Sequence, residues 1–80
     1  MISALAGLLM TVAAEYYSIS VTRTSQDLYR IGYSQTYIVT RYCYEYVYGD
    51  DVIVKYEPYS YDNWIIFSSG SKCDIAKVVR

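Results

Sequence analysis

A chain of 80 residues allows one domain, and a domain this small buries only about 60% of its unfolded surface, so its core is thin. With 54% hydrophobic and 19% charged residues it lies outside the composition of disordered chains. Seven Lys+Arg against eight Asp+Glu, interspersed along the chain, show no basic excess of the kind nucleic-acid binding rests on, and the absence of His removes the commonest general base and metal ligand.

Residues Met1 to Ala14, MISALAGLLMTVAA, carry no charge and hold an apolar run from Ala4 to Met10 followed by small residues. Val12 and Ala14 stand at the −3 and −1 positions of an A-x-A-like cleavage site, which predicts a signal peptide over 1–14 and a β-domain over 15–80 that begins at Glu15. No Lys or Arg precedes the apolar stretch, a departure from the signal pattern. The competing reading is a short helix packed on the sheet, with Ile2, Leu5, Leu8, Leu9 and Val12 at helical spacing. Fourteen residues are too few to cross a membrane as a helix, since about 20 are needed, so no stable span is expected.

From Glu15 onward the period is two. Tyr17, Ile19 and Val21 alternate with Ser18, Ser20 and Thr22, a half-buried strand. Thr24 to Asp27 reads as a turn, Leu28 to Ile31 as a short strand, and Gly32 to Gln35 as a second turn. A long run follows from Thr36 to Tyr48. One parity of it carries Ile38, Thr40, Tyr42, Tyr44, Tyr46 and Tyr48; the other carries Tyr37, Val39, Arg41, Cys43, Glu45 and Val47. Gly49-Asp50-Asp51 reads as a hairpin connection, Val52 to Tyr56 as its return strand, and Glu57 to Asn63, with the only Pro, as a loop. Trp64 to Phe67 is almost wholly apolar and is expected to be central or covered on both faces. Ser68 to Ser71 turns the chain, and Lys72 to Val79 closes the sheet. The expected fold is all-β: an antiparallel meander of five or six strands, curled or closed into a small barrel. Ile19, Val21, Leu28, Val39, Ile65, Phe67 and Ile75 are the expected core.

Cys43 and Cys73 lie thirty residues apart. In an exported domain this small they most simply form a disulfide; in a cytosolic protein they would be separate buried thiols. Two Cys without His leave a metal site half empty, and no cofactor is expected. Tyr48-Gly49-Asp50-Asp51 spells the string that marks the palm of RNA-directed RNA polymerases. That chemistry needs a further carboxylate and a domain able to grip template and primer, so the turn reading prevails. Arg41 and Glu45 flank Cys43 on one strand parity and are expected to be half-buried and paired with charges on adjacent strands. Asp62 and Asn63 could offer oxygens to Ca²⁺, without the loop spacing that would support it.

Twelve tyrosines are the chain's most distinctive feature. On a strand, Tyr42, Tyr44, Tyr46 and Tyr48 would share one face as a continuous row, either a binding surface or a cover over a thin core. Tyr59, Tyr61 and Trp64, near the proline loop, form a second candidate patch.

The stretch Thr40 to Asp74, with Thr40-Arg41-Tyr42-Cys43-Tyr44-Glu45-Tyr46, Asp51, Asn63, Ile65-Ile66-Phe67, Gly70 and Cys73-Asp74, resembles a group of small exported bacterial proteins without assigned function. The resemblance covers about half the chain and implies paired cysteines in an exported domain. The expectation is therefore a periplasmic or secreted, non-catalytic domain. It would bind a protein partner through the tyrosine row or an open sheet edge, or alternatively a carbohydrate or cell-wall polymer through the loop around Trp64.

Overall fold

The computed structural model describes residues 16–80. The signal peptide expected over 1–14 and its competing helix lie outside the described residues. Six antiparallel strands form a closed barrel in the order β1-β2-β3-β6-β5-β4. They are β1 (Tyr16–Ser25), β2 (Leu28–Ile31), β3 (Tyr37–Arg41), β4 (Tyr48–Lys55), β5 (Trp64–Ile66) and β6 (Lys72–Val79). The sequence of β1–β3 is one meander and that of β4–β6 another. The two halves are zipped together where β1 pairs with β4 and β3 with β6. Because the sheet closes on itself, the six described strands leave no open edge to receive a partner strand.

Closing so short a sheet takes sharp local bends, and three register shifts supply them. In β4 the shift falls at Gly49, with φ of +76°, between the pairs Val21–Asp50 and Thr22–Tyr48. In β6 it falls between the partners of Val39 and Thr40 and changes the strand's parity, so that Ile75 and Val78, three residues apart, both turn toward the interior. The third lies in β1 between Arg23 and Ser25, next to the Gln26–Asp27 turn. Gly49-Asp50-Asp51 is therefore a bulged stretch of β4, not a hairpin connection.

The interior is filled by Val21, Tyr29, Ile38, Val52, Val54, Ile65, Phe67 and Ile75 together with Cys43 and Val47. Of the expected core, Val21, Ile65, Phe67 and Ile75 are buried. Ile19 is half-buried against the core. Leu28 and Val39 pair with each other across β2 and β3 and are only half-buried, because it is their neighbours Tyr29 and Ile38 that point inward. The Tyr29 and Phe67 rings pack tilted at 5.6 Å. In β5, Ile65 is buried while Trp64 and Ile66 are half-buried, so the apolar strand is well covered on one face and partly on the other.

The long strand expected from Thr36 to Tyr48 is broken. β3 stops at Arg41, and residues 42–47 cross from β3 to β4 as an irregular strap over one end of the barrel. At the opposite end the described residues leave an opening. There Ile19, Ile31, Ile38, Val54, Tyr56 and Val78 line an apolar hollow of about 300 Å³.

Candidate functional site

The strap begins at a single unusual residue. Ile38 and Thr40 face the interior, so an unbroken strand would send Tyr42, Tyr44 and Tyr46 inward as well. Tyr42 instead takes φ of +53°, a left-handed conformation that costs a non-glycine residue about 1–2 kcal/mol. The parity reverses there. Cys43 and Val47 turn into the core, and the tyrosines turn out.

What offsets the strain is Asp27, itself left-handed at φ +60°. Its Oδ1 accepts the Cys43 amide at 2.7 Å and the Thr40 hydroxyl at 2.9 Å, while its carbonyl accepts the Thr40 amide at 3.0 Å. The Cys43 amide, aided by the Thr40 and Gln26 side chains, holds the Asp27 carboxyl below the usual carboxylate range despite partial desolvation. Gln26 Nε2 adds a bond to the Cys43 carbonyl.

The middle of the strap is tied from beneath. The buried Tyr29 hydroxyl donates to the Glu45 carbonyl at 2.7 Å, and burial pushes its phenol above the ordinary tyrosine range. The Glu45 carboxylate accepts the Ser69 hydroxyl, and the Arg23 amide donates to the Val47 carbonyl. Cys43 is joined to Cys73 of β6 by a disulfide, with Cα atoms 5.6 Å apart. The expected charge pairs for Arg41 and Glu45 are not formed: Glu45 meets Ser69, and the exposed Arg41 donates to the Ile75 carbonyl. Arg41 also leaves the face of Cys43, as the change of parity at Tyr42 requires.

On this pinned segment Tyr42, Tyr44, Tyr46 and Tyr48 are 83, 63, 66 and 73% exposed. They are an exposed series along a strap, with only Tyr48 in a strand, and not the face of one strand. Arg23 lies under the Tyr46 ring, its Cζ 4.3 Å from the centroid, and its Nε is buried without a hydrogen-bond partner. That guanidinium was not singled out in the sequence; its place on the inward parity of β1, after Ile19 and Val21, was the available signal.

The second aromatic patch does not assemble as one platform. Tyr59 and Tyr61 are fully exposed on the loop between β4 and β5. Trp64 is half-buried, with Tyr16 at 6.1 Å and the Lys72 ammonium 5.3 Å from its ring. Asn63 is buried and works as an internal staple. Its Oδ1 accepts the Glu57 amide and its Nδ2 donates to the Glu57 and Ser60 carbonyls, so the side chain is spent on fixing the loop. Among the described residues no group of three or more His, Cys, Asp or Glu is placed to hold a metal ion, and no helix is long and apolar enough to cross a membrane.

No family model, curated protein or solved structure matches the chain. The strap and its tyrosines therefore have to be interpreted from their own chemistry.

Proposed function

We infer that this chain is a non-catalytic binding domain of the periplasm or cell exterior, which meets a protein partner through the strap tyrosines. The observation that carries the reading is the combination of four exposed rings with a backbone that is already fixed. Tyrosine offers a large contact area with few rotatable bonds, and a segment held by a disulfide and by Asp27 has little ordering entropy left to lose on binding. Monomeric domains rarely expose contiguous aromatic patches that serve nothing. A disulfide linking a strap to a strand in a domain this small suits an oxidising compartment, which supports the extracytoplasmic placement.

The test is capture from envelope extract and culture supernatant, followed by affinity measurement with the purified partner. Tyr44→Ser/Tyr46→Ser is expected to weaken that affinity about thirtyfold or more, since interface energy concentrates in a few aromatic anchors. Undiminished affinity in the folded variant overturns the reading. The carbohydrate alternative at the Trp64 loop has less in its favour, because Tyr16 and Lys72 already occupy the surroundings of that ring.

A further inference from the structure

On the outer wall of the barrel, away from the body of the strap, three residues stand side by side across three strands. Arg30 of β2 is the register partner of Thr22 of β1, and Thr22 is in turn the partner of Tyr48 of β4. Val21 is buried, so alternation turns Ser20 and Thr22 outward. Together with Tyr33 these side chains line a cleft of about 380 Å³, in the lower part of the range for small-ligand sites.

Its walls are two tyrosine rings: Tyr48 is largely exposed and Tyr33 wholly so. Two left-handed glycines, Gly32 and Gly49, also line it. A Cβ on Gly32 would meet nothing within 4 Å, and one on Gly49 only the Ser20 hydroxyl at 3.9 Å. Arg30 Nε donates to the Gly32 carbonyl at 3.1 Å, which fixes the guanidinium near the Tyr33 ring, 5.9 Å from its centroid. No carboxylate among the described residues pairs with Arg30. Its terminal nitrogens are left as donors, beside two hydroxyls that both donate and accept.

We propose that this cleft binds an uncharged pyranose unit of a glycan. A sugar ring presents an apolar face that suits a tyrosine and a rim of hydroxyls that needs mixed donors and acceptors. The local charge argues against a strong anion, because Asp51 faces Ser20 across β1 and β4, and the Asp50 carboxylate accepts the Tyr48 amide nearby. The cleft shares Tyr48 with the rings assigned to the protein partner, but Arg30, Tyr33, Ser20 and Thr22 lie outside the strap, so variants at Arg30 and Tyr33 test this site apart from that reading.

The experiment titrates the isotope-labelled full chain with cellotetraose, maltotetraose and tetra-N-acetylchitotetraose in turn, following amide shifts. Tetragalacturonate, inorganic phosphate and an acidic tetrapeptide are run in parallel. At least one neutral tetrasaccharide is expected to shift Gly32 and Gly49 saturably, with a Kd below about 10 mM. That Kd should be nearly unchanged between about 50 and about 500 mM salt, as an uncharged ligand requires. Arg30→Gln and Tyr33→Ser should each weaken binding about tenfold, with shifts elsewhere preserved to report an intact fold. Arg30→Lys, which keeps the charge and loses the planar fork, should fall between wild type and Arg30→Gln. Lys77→Gln, the same charge change on β6, should stay within about twofold. The proposal is overturned if none of the neutral tetrasaccharides binds below about 10 mM, or if uronate, phosphate or peptide binds more tightly than all of them.

Discussion

The Asp27 carboxylate accepts the Cys43 amide at 2.7 Å, and through that bond a two-residue turn between β1 and β2 holds the start of the strap sixteen residues later. Asp27→Ala removes the three hydrogen bonds the carboxylate accepts, from the Cys43 amide, the Thr40 hydroxyl and, more weakly, the Gln26 side chain, and places alanine in a left-handed conformation. The expected loss is about 2–3 kcal/mol, against about 1 kcal/mol for Asp27→Asn, which tolerates that conformation and keeps an acceptor. Urea unfolding of the three proteins measures both.

The same carboxylate gives a pH dependence with a definite sign. Its pKa is lower in the fold than in the unfolded chain, so its stabilisation is fully present above the ordinary carboxylate range near about 4 and is lost as pH falls through the folded value. The stability difference between wild type and Asp27→Asn should shrink as pH drops below about 4. A difference that stays constant across that range would show that Asp27 is not held as the carboxylate.

Tyr29 acts at the other extreme of pH. Burial raises its phenol, so the stability tied to the neutral form holds below about pH 10 and is lost as pH rises through the folded pKa. In a spectrophotometric titration one of the twelve tyrosines should ionise last, together with unfolding, and Tyr29→Phe should lack that component. Tyr29→Phe also strands the Glu45 carbonyl, at a cost of about 1–2 kcal/mol.

Removing the disulfide as Cys43→Ala/Cys73→Ala releases a 30-residue separation, for which the chain-entropy relation gives about 3.6 kcal/mol. Thermal unfolding should show a midpoint lower by more than about 15 °C. A smaller fall would mean that Asp27 and Tyr29 carry most of the strap's attachment by themselves.

The two anchors chosen to test partner binding should separate on stability. Tyr44 has no ring or cation contact among those described, and Tyr44→Ser should change stability within about 0.5 kcal/mol. Tyr46 covers the Arg23 guanidinium, whose Nε is buried, so Tyr46→Ser should cost about 1 kcal/mol. If the double variant instead loses several kcal/mol, the rings belong to the core's cover and not to a partner surface.

Export is checked by fractionation. The native product is expected outside the cytoplasm, with its N-terminus at or near Glu15 by mass spectrometry. A cytoplasmic protein that retains Met1 would sink that placement.

Alternation made most of the barrel legible. Val21, Ile65, Phe67 and Ile75 announced their faces through their neighbours, and Cys43 and Cys73 their pairing through the economy of a small domain. The strap was not legible, because its turning point is a tyrosine with positive φ and nothing about Tyr42 itself signals a left-handed backbone. The determinant is Asp27, fifteen residues upstream, and it acts through space. Gly49 misled in the opposite sense: glycine before two aspartates suits a hairpin, yet a bulge within a strand needs the same freedom. In β2, only four residues long, Leu28 and Tyr29 compete for the interior. The aromatic wins because its hydroxyl finds the Glu45 carbonyl there.

The strap closes one mouth of the barrel, and Tyr16 stands toward the other. From Tyr16 to Arg23, whose amide holds Val47, β1 runs about 23 Å. The molecule is thus polar along its axis, with the strap tyrosines at one pole and Tyr16, together with the β4–β5 loop that carries Tyr59 and Tyr61, near the other. A domain that begins at Tyr16 and is coupled to a resin or sensor there would hold the strap away from the support, whereas coupling through lysines would bind it in mixed orientations and mask the rings on some copies. The geometry of attachment will therefore decide whether a weak partner is seen at all.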